Sequence, residues 1–261
     1  MSVINVAVCG CLGRMGAGVC ETVTASAGDM KLCGLADAKA FAGEAYGLKI
    51  GSVISRAAFG GAVDVMVDFT HPSCVFENAR TALNEGISCV IGTTGLSEPQ
   101  LAELEKLTLQ KNLFTLVAPN FAIGAVLMMK FSAIASKFMK RAEIIEMHHD
   151  KKADAPSGTS LLTAKMMAAA GAEGPSKPGE KILVPGARGG DCGGVNIHSV
   201  RLPGYLAHQQ VIFGDIGQVL TIRHDSMSRD SFMPGVALAI RESVRRKGFY
   251  FGLEKIMDLG F

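Results

Sequence analysis

Tryptophan is absent from these 261 residues, and tyrosine occurs three times. That leaves no aromatic surface for stacking nucleic-acid bases. Excess charge is lacking too. Lys and Arg number 26 against 24 Asp and Glu, a formal net charge of +2, so neither nucleic acid nor a membrane surface is expected as a partner. No uninterrupted apolar stretch reaches the ~18 residues of a membrane-spanning helix. The first residues run straight into an apolar segment, with no basic n-region and no small-residue cleavage site. The seven cysteines are scattered and form no CxxC pair. Cys9 and Cys11 are too close for an ordinary structural disulfide, and the set reads as free thiols, so a cytoplasmic protein is expected. Internal repeats and low-complexity segments are also missing.

What is present is apolar chain, 48% of residues, enough for roughly two domains with cores of their own. Strands are expected at 3–9, 31–36, 64–69, 87–91 and 113–118, alternating with helices at 14–26, 72–85 and 98–110. The run at 3–9 is almost continuously apolar, as a strand buried on both faces requires. This alternation predicts the α/β class, with a doubly wound parallel sheet in the N-terminal part. The pattern changes near 119–123. A Met- and Phe-rich helix at 122–138 follows, whose Met128 and Met129, with Met139 beyond it, read as core packing. Then come a strand at 142–149, a helix at 158–170, Gly- and Pro-rich loops at 171–180 and 185–194, and strands at 195–202, 207–213 and 218–224. Consecutive strands with short connections predict a second, α+β domain with a mixed sheet. An amphipathic helix at 231–247 is expected to return to the first domain.

Gly10, Gly13 and Gly16 follow the first strand and open a helix. Their GxxGxxG spacing is a variant of the GxGxxG fingerprint. Such glycines permit a tight turn and let a pyrophosphate approach backbone N–H groups at a helix N-terminus. Asp37 closes the second strand, where an acid binds the adenosine ribose hydroxyls. The run Gly92, Thr93, Thr94, Gly95 follows the fourth strand, at the carboxyl edge where open sheets bind ligands. A Rossmann-like, dinucleotide-binding first domain is therefore expected. The carboxylate of Asp37 repels a ribose 2′-phosphate, while Arg14 and Lys39 are placed to reach one. NADH is the expected cofactor, with NADPH also accepted.

The densest polar stretch is EIIEMHHDKKADAPSGTS at 143–160. Adjacent residues on a strand point to opposite faces, so His148 and His149 cannot both bind one metal on a regular strand. No HExxH or HxxEH occurs, and no metal is predicted. If the strand ends at the histidines, the following loop presents both of them, with Lys152 in reach. Histidine moves protons near neutral pH, and a lysine ammonium donates a proton or stabilises developing negative charge. The stretch from Asp154 through Ser157, Gly158 and Thr159 offers a helix start whose N–H groups and hydroxyls hold a carboxylate. Together these residues suit a small anionic substrate that accepts hydride and proton. Plainer roles stand beside these: Lys151 as a solvated loop charge, Asp154 as a turn cap, Ser157 as an N-cap. Glu143 and Glu146 are read as orienting neighbours or facing solvent. His71 either lines the cofactor cleft or is structural. His198, His208 and His224, on expected strands, are weaker candidates.

The combination of GxxGRMG, DFTHP, GTTG, APNF and ExHHxxKxDAPSGT resembles the 4-hydroxy-tetrahydrodipicolinate reductase family, long called dihydrodipicolinate reductase. The resemblance runs from residue 6 to the C-terminus, and RLPGYLAHQQVIFG at 201–214 looks like the family as well. It implies an enzyme of lysine and diaminopimelate biosynthesis, of bacterial or plastid type. Its substrate would be a small cyclic dicarboxylate, 4-hydroxy-tetrahydrodipicolinate, reduced to tetrahydrodipicolinate with NADH or NADPH, in a homotetramer. The division implied is a dinucleotide-binding domain, 1–119 completed by 230–261, and a substrate-binding and oligomerisation domain, 120–229. By motif, the dinucleotide loop falls on Gly10, Cys11, Leu12, Gly13, Arg14 and Met15, and the ribose acid on Asp37. The nicotinamide-side loops fall on Gly92, Thr93 and Thr94, and on Ala118, Pro119, Asn120 and Phe121. The catalytic pair falls on His148 and Lys152, and substrate carboxylates on His149, Lys152, Ser157, Gly158 and Thr159. Many members carry an arginine directly after the ribose acid, favouring NADPH. Here Ala38 holds that place, with Lys39 next. Two rivals share the N-terminal half: another two-domain Rossmann oxidoreductase, such as an amino-acid or semialdehyde dehydrogenase, and a non-catalytic dinucleotide sensor. Neither needs the HHDKKADAPSGT string.

Overall fold

A computed structural model describes residues 3–39, 43–52, 55, 56, 59, 61–174 and 180–260. The chain divides into two compact units, one formed by Met1–Phe121 with Arg229–Phe261, the other by Ala122–Ser228.

The first unit begins with β1 (Ile4–Cys9), α1 (Arg14–Thr24), β2 (Met30–Ala36), β3 (Glu44–Ala45) and β4 (Leu48–Gly51). It continues with β5 (Val65–Asp68), α2 (Val75–Asn84), β6 (Ser88–Ile91), α3 (Glu98–Gln110) and β7 (Phe114–Val117). The sheet runs β7-β6-β5-β1-β2-β4-β3 and is parallel except for the β3–β4 hairpin. Every residue of β5, β6 and β7 is buried. Short, apolar, β-branched-rich segments of this kind fit central parallel strands covered on both faces. Met66, Cys89, Ile91 and Val117 pack with Ala79, Leu83 and Leu104 of the helices into one core. Helix α3 starts where the sequence marks it: the Ser97 N–H donates to Gln100 Oε1 at 2.9 Å, closing the first turn.

The second unit holds α4 (Ile123–Ala135), β8 (Arg141–His148), α5 (Gly158–Ala169), β9 (Gly190–Cys192), β10 (Val195–Arg201), β11 (Ala207–Asp215) and β12 (Gln218–Ser226). Its sheet order is β12-β11-β8-β10-β9. β8 and β10 are parallel, and the other pairs are antiparallel. This is the mixed sheet expected from the run of closely spaced strands. Ala142 and Ile144, Val195 and Ile197, and Val211 and Phe213 point to one face, where they bury Ala164 and Met167 of α5. Of the expected loop at 171–180, residues 175–179 lie outside the described residues.

The chain then returns to the first unit as α6 (Met233–Ser243) and β13 (Gly248–Phe251). Gly235 lets α6 approach closely, since a Cβ there would sit 2.0 Å from the Phe121 carbonyl oxygen. The helix expected over 231–247 is thus shorter, and the residues after it form an extra parallel strand beside β7. No helix among the described residues is long and apolar enough to cross a membrane.

Candidate active site

In the first unit the β1–α1 loop is shaped by backbone. Gly10 adopts φ +81° and its N–H donates to the Ala36 carbonyl at 2.8 Å. A Cβ on Gly10 would meet the Phe69 carbonyl oxygen at 2.4 Å, and one on Gly16 the Gly10 carbonyl oxygen at 2.0 Å. Only glycine fits either place. The loop ends at the N-terminus of α1, whose first turn carries no acid to compete with a phosphate. Asp37 is tied to this loop: its Oδ2 accepts from the Leu12 N–H at 3.0 Å, and its Oδ1 from the Lys39 N–H at 2.9 Å. Gly10, Leu12, Gly13, Asp37, Ala38 and Lys39 line one side of a cavity of about 430 Å³, with Thr70, His71 and Asn78 also on its wall. The Cys11 thiol is buried, which pushes its pKa up and keeps it an unreactive thiol. Arg14 and Thr94 are exposed, Met15 and Asn120 half-buried.

The loops after β5 and β6 are braced by one buried carboxylate. Asp68 Oδ1 accepts from the Thr70 N–H at 3.0 Å, the Thr70 hydroxyl at 2.7 Å and the Thr93 hydroxyl at 2.7 Å, while Oδ2 accepts from Asn78 at 2.8 Å. Thr93 therefore spends its side chain on the loop and offers only backbone outward. Gly92 leaves room for the Phe69 ring, 2.0 Å from where its Cβ would be. Phe69 in turn packs on Phe121, with ring centroids 5.6 Å apart. Ala118 and Phe121 are buried, and Pro119 is exposed.

In the second unit β8 ends at His148, so His149 and the following turn leave the sheet. Residues two apart on a strand share a face, which places Glu146 and His148 together. Glu146 is fully buried. Its carboxylate accepts a short hydrogen bond from His148 Nδ1, and two from Arg201: Nη1 to Oε2 at 2.9 Å and Nη2 to Oε1 at 2.7 Å. Burial alone would push the Glu146 carboxyl up. Hydrogen bonds from His148, Arg201 and Ser199 outweigh it and bring it down to about 2. Arg201 also donates to the Asp154 carbonyl at 2.8 Å, fastening the turn that follows the histidines. Lys152 Nζ pairs with Asp154 Oδ1 at 2.7 Å, and that hydrogen bond holds the Asp154 carboxyl below its usual range.

Ser157 caps α5: its Oγ accepts from the Ser160 N–H at 3.2 Å. The Ser160 hydroxyl donates to Gln209 Oε1 at 2.7 Å, and Gln209 Nε2 donates to Thr163 Oγ1 at 2.9 Å, so the helix start is anchored to β11. A Cβ on Gly158 would meet nothing within 4 Å. Packing therefore does not demand glycine there, and the space beside the helix N-terminus is open to an anion.

The structure gathers Glu146, His148, Lys152, Asp154 and Arg201 into one bonded group. It takes other candidates elsewhere. Glu143 faces the opposite side of the sheet, bonded to Arg188 at 2.5 Å and His198 at 2.7 Å. His208 bonds Asp225 at 2.6 Å, and His224 lies against Gly124 at the start of α4, where burial lowers its pKa. His71 Nδ1 accepts from the Ser73 N–H at 3.2 Å. A larger cavity of about 880 Å³ lies along Glu143, Ile145, Ile212 and Val219, on the helix-free face. It contains none of the His148 group, so size is a poor guide to the chemistry here. Sequence reasoning passed over Arg201 and Gln209, and left Glu146 between two roles. The Glu146–His148 spacing was visible in the string, whereas Arg201 meets His148 only through the β8–β10 register.

Residues 4–121 match the model of the dihydrodipicolinate reductase N-terminus, and 124–257 that of its C-terminus. A 4-hydroxy-tetrahydrodipicolinate reductase of Syntrophomonas wolfei is 47% identical, over 97% of this chain and 98% of its own. One of Desulfitobacterium hafniense is 42% identical, over 99% of this chain and 100% of its own. The solved structure of a dipicolinate-bound dihydrodipicolinate reductase from Paenisporosarcina sp. TG-14 is 40% identical with a TM-score of 0.90, covering 98% of this chain and 100% of that one. An aspartate semialdehyde dehydrogenase II of Vibrio cholerae, 12% identical with a TM-score of 0.57 over 94% of this chain and 99% of that one, shares the fold alone. With both halves of the sequence matched and full-length relatives at 42–47% identity, the chain belongs to the dihydrodipicolinate reductase family of NAD(P)H-dependent oxidoreductases.

Proposed function

We propose that His148 and Lys152 supply the protons, and the start of α5 the substrate clamp, for the reaction named by this chain's relatives. That reaction is the NAD(P)H-dependent reduction of 4-hydroxy-tetrahydrodipicolinate to tetrahydrodipicolinate, in lysine and diaminopimelate biosynthesis. One hydride and one proton enter the substrate, and one water leaves. The observation that carries the residue assignment is the bonded group at the end of β8, with a histidine on the last residue of the strand and a lysine on the turn leading to an open helix start. His149, Ser157, Gly158 and Thr159, with Lys152, hold the two carboxylates. Lys152 exchanges Asp154 for the substrate when it does so.

The β1–α1 loop fits a dinucleotide, because Gly10 and Gly16, each too close to neighbouring backbone to carry a Cβ, hold the tight turn that leads into the α1 N-terminus. Gly10, Cys11, Leu12, Gly13, Arg14 and Met15 hold the pyrophosphate, and Asp37 the ribose. Gly92, Thr93, Thr94, Ala118, Pro119, Asn120 and Phe121 hold the nicotinamide side through backbone. NADH or NADPH, when bound, supplies the hydride. Residues 1–119 with 230–261 thus form the dinucleotide-binding domain, and 120–229 the substrate domain. The protein works in the cytoplasm, consistent with its free cysteines. It assembles as a homotetramer through the substrate domain, whose helix-free face exposes Phe138 and Val219.

A coupled assay tests the activity. The preceding synthase makes the substrate from pyruvate and aspartate semialdehyde, and loss of NADH and NADPH is followed separately. Substrate-dependent oxidation is expected with both. None with either would overturn the reading.

A further inference from the structure

We propose that Glu146 and Arg201 are positioning residues for the proton donor: Glu146 fixes the His148 ring through Nδ1, and Arg201 holds that carboxylate in place. The inference rests on His148 being the proton donor and says how the chain makes it one.

Three observations carry it. First, Glu146 is fully buried near the C-terminal end of β8, the central strand of its sheet. A carboxylate in such a place costs stability unless its bonds are satisfied, and apolar replacements often serve as well. Second, Arg201 by itself bonds both Glu146 oxygens. Ser199 bonds the same carboxylate, so the further bond to His148 Nδ1 is surplus to structural need. Third, the same guanidinium grips the Asp154 carbonyl, so the carboxylate, the imidazole and the 152–157 turn share one anchor.

The consequence for the ring is definite. Glu146 is held ionised, so it can only accept, and Nδ1 must carry a hydrogen. Nε2 is then the nitrogen that exchanges a proton with substrate. Among the described residues of this unit, few charged groups surround the ring. On β8 there is Glu146. On β10 there is Arg201, whose charge Glu146 offsets. The partners from β11 are Ala207, opposite His148, and neutral Gln209, opposite Glu146. The α5 start brings hydroxyls, and the turn brings Lys152 already paired with Asp154. Removing the Glu146 charge would leave Arg201 as the nearest uncompensated charge and disfavour the protonated ring.

The test uses the full-length enzyme with four variants: Glu146→Gln, Glu146→Gln with Arg201→Gln, His148→Gln, and Glu146→Gln with His148→Gln. The Arg201 double variant leaves no lone buried charge and serves if Glu146→Gln alone fails to fold. Each is assayed for kcat across pH and for NADH dissociation constant. Expected results are a fall in kcat of about 10-fold or more on losing Glu146. The pH profile of kcat should change, with NADH affinity unchanged. No further loss is expected when Glu146→Gln is added to His148→Gln. If His148→Gln is crippled while a folded Glu146 variant keeps wild-type kcat and pH profile, the positioning role is overturned and His148 stands. An undiminished effect of Glu146→Gln in the His148→Gln background also overturns it. If His148→Gln turns over normally, the proton-donor reading fails, and this inference with it.

Discussion

The two sites of this chain are built from opposite materials. The cradle of the first unit is backbone: glycine clearances, N–H groups and one fixed carboxylate, Asp37, that already caps the loop. The site of the second unit is side chain: a buried Glu–His–Arg group and a Lys–Asp pair on a turn. In the proposed reading, the first recognises a shape, whereas the second manages protons and depends on charge. A backbone cradle tolerates no added atom, whereas a side-chain site tolerates small changes of volume but not loss of a titrating group.

That contrast can be broken by experiment. The largest effect should come from His148→Ala and Lys152→Ala, each expected to lower kcat by on the order of 100-fold, with NADH affinity unchanged by titration. Near-normal turnover in both would remove the chemical site from the second unit. Next is acid stability. The Glu146 carboxyl sits at about 2 when folded, against 4.5 unperturbed. A depressed carboxyl contributes stability that is present above its unfolded value and is lost as pH falls through the folded one. Wild type should therefore lose stability steeply between pH 4.5 and about 2, and Glu146→Gln should flatten that slope in denaturant titrations at each pH. An unchanged slope would assign the acid sensitivity to other carboxylates. Smaller still is Gly16→Ala. Overpacking costs about 1–3 kcal/mol, so NADH affinity should drop about tenfold or more while kcat at saturation survives. A selective loss of kcat instead would mean the cradle also does chemistry. The subtlest is Asp37→Ala, expected to weaken NADH by several-fold (about 1 kcal/mol) and NADPH much less. Equal losses would deny Asp37 its ribose role.

The same contrast explains what was legible in the sequence. A glycine cradle is local, so Gly10, Gly13 and Gly16 announce it within one turn of chain. The alternation of the parallel sheet is legible because β5, β6 and β7 are buried throughout and mostly apolar. β13 was hidden. Its four residues follow a helix whose pattern blurs at Val244, and its place beside β7 is a tertiary fact. β3 is two residues long and has no periodicity to read. In the second unit, strand parity separates His148 from His149 and joins Glu146 to His148. Arg201 could not be found that way, because its meeting with His148 depends on β10 lying parallel to β8 in one register.

Asp68 has a consequence for engineering. One carboxylate at the end of β5 holds Thr70 on its own loop and Thr93 on the next. These two loops are mechanically a single part. A graft that swaps one of them to retune the coenzyme would carry a mismatched brace into the other. Exchanging residues 68–78 together with 92–95 keeps the brace whole, and that pair of segments is the natural cassette of this sheet edge.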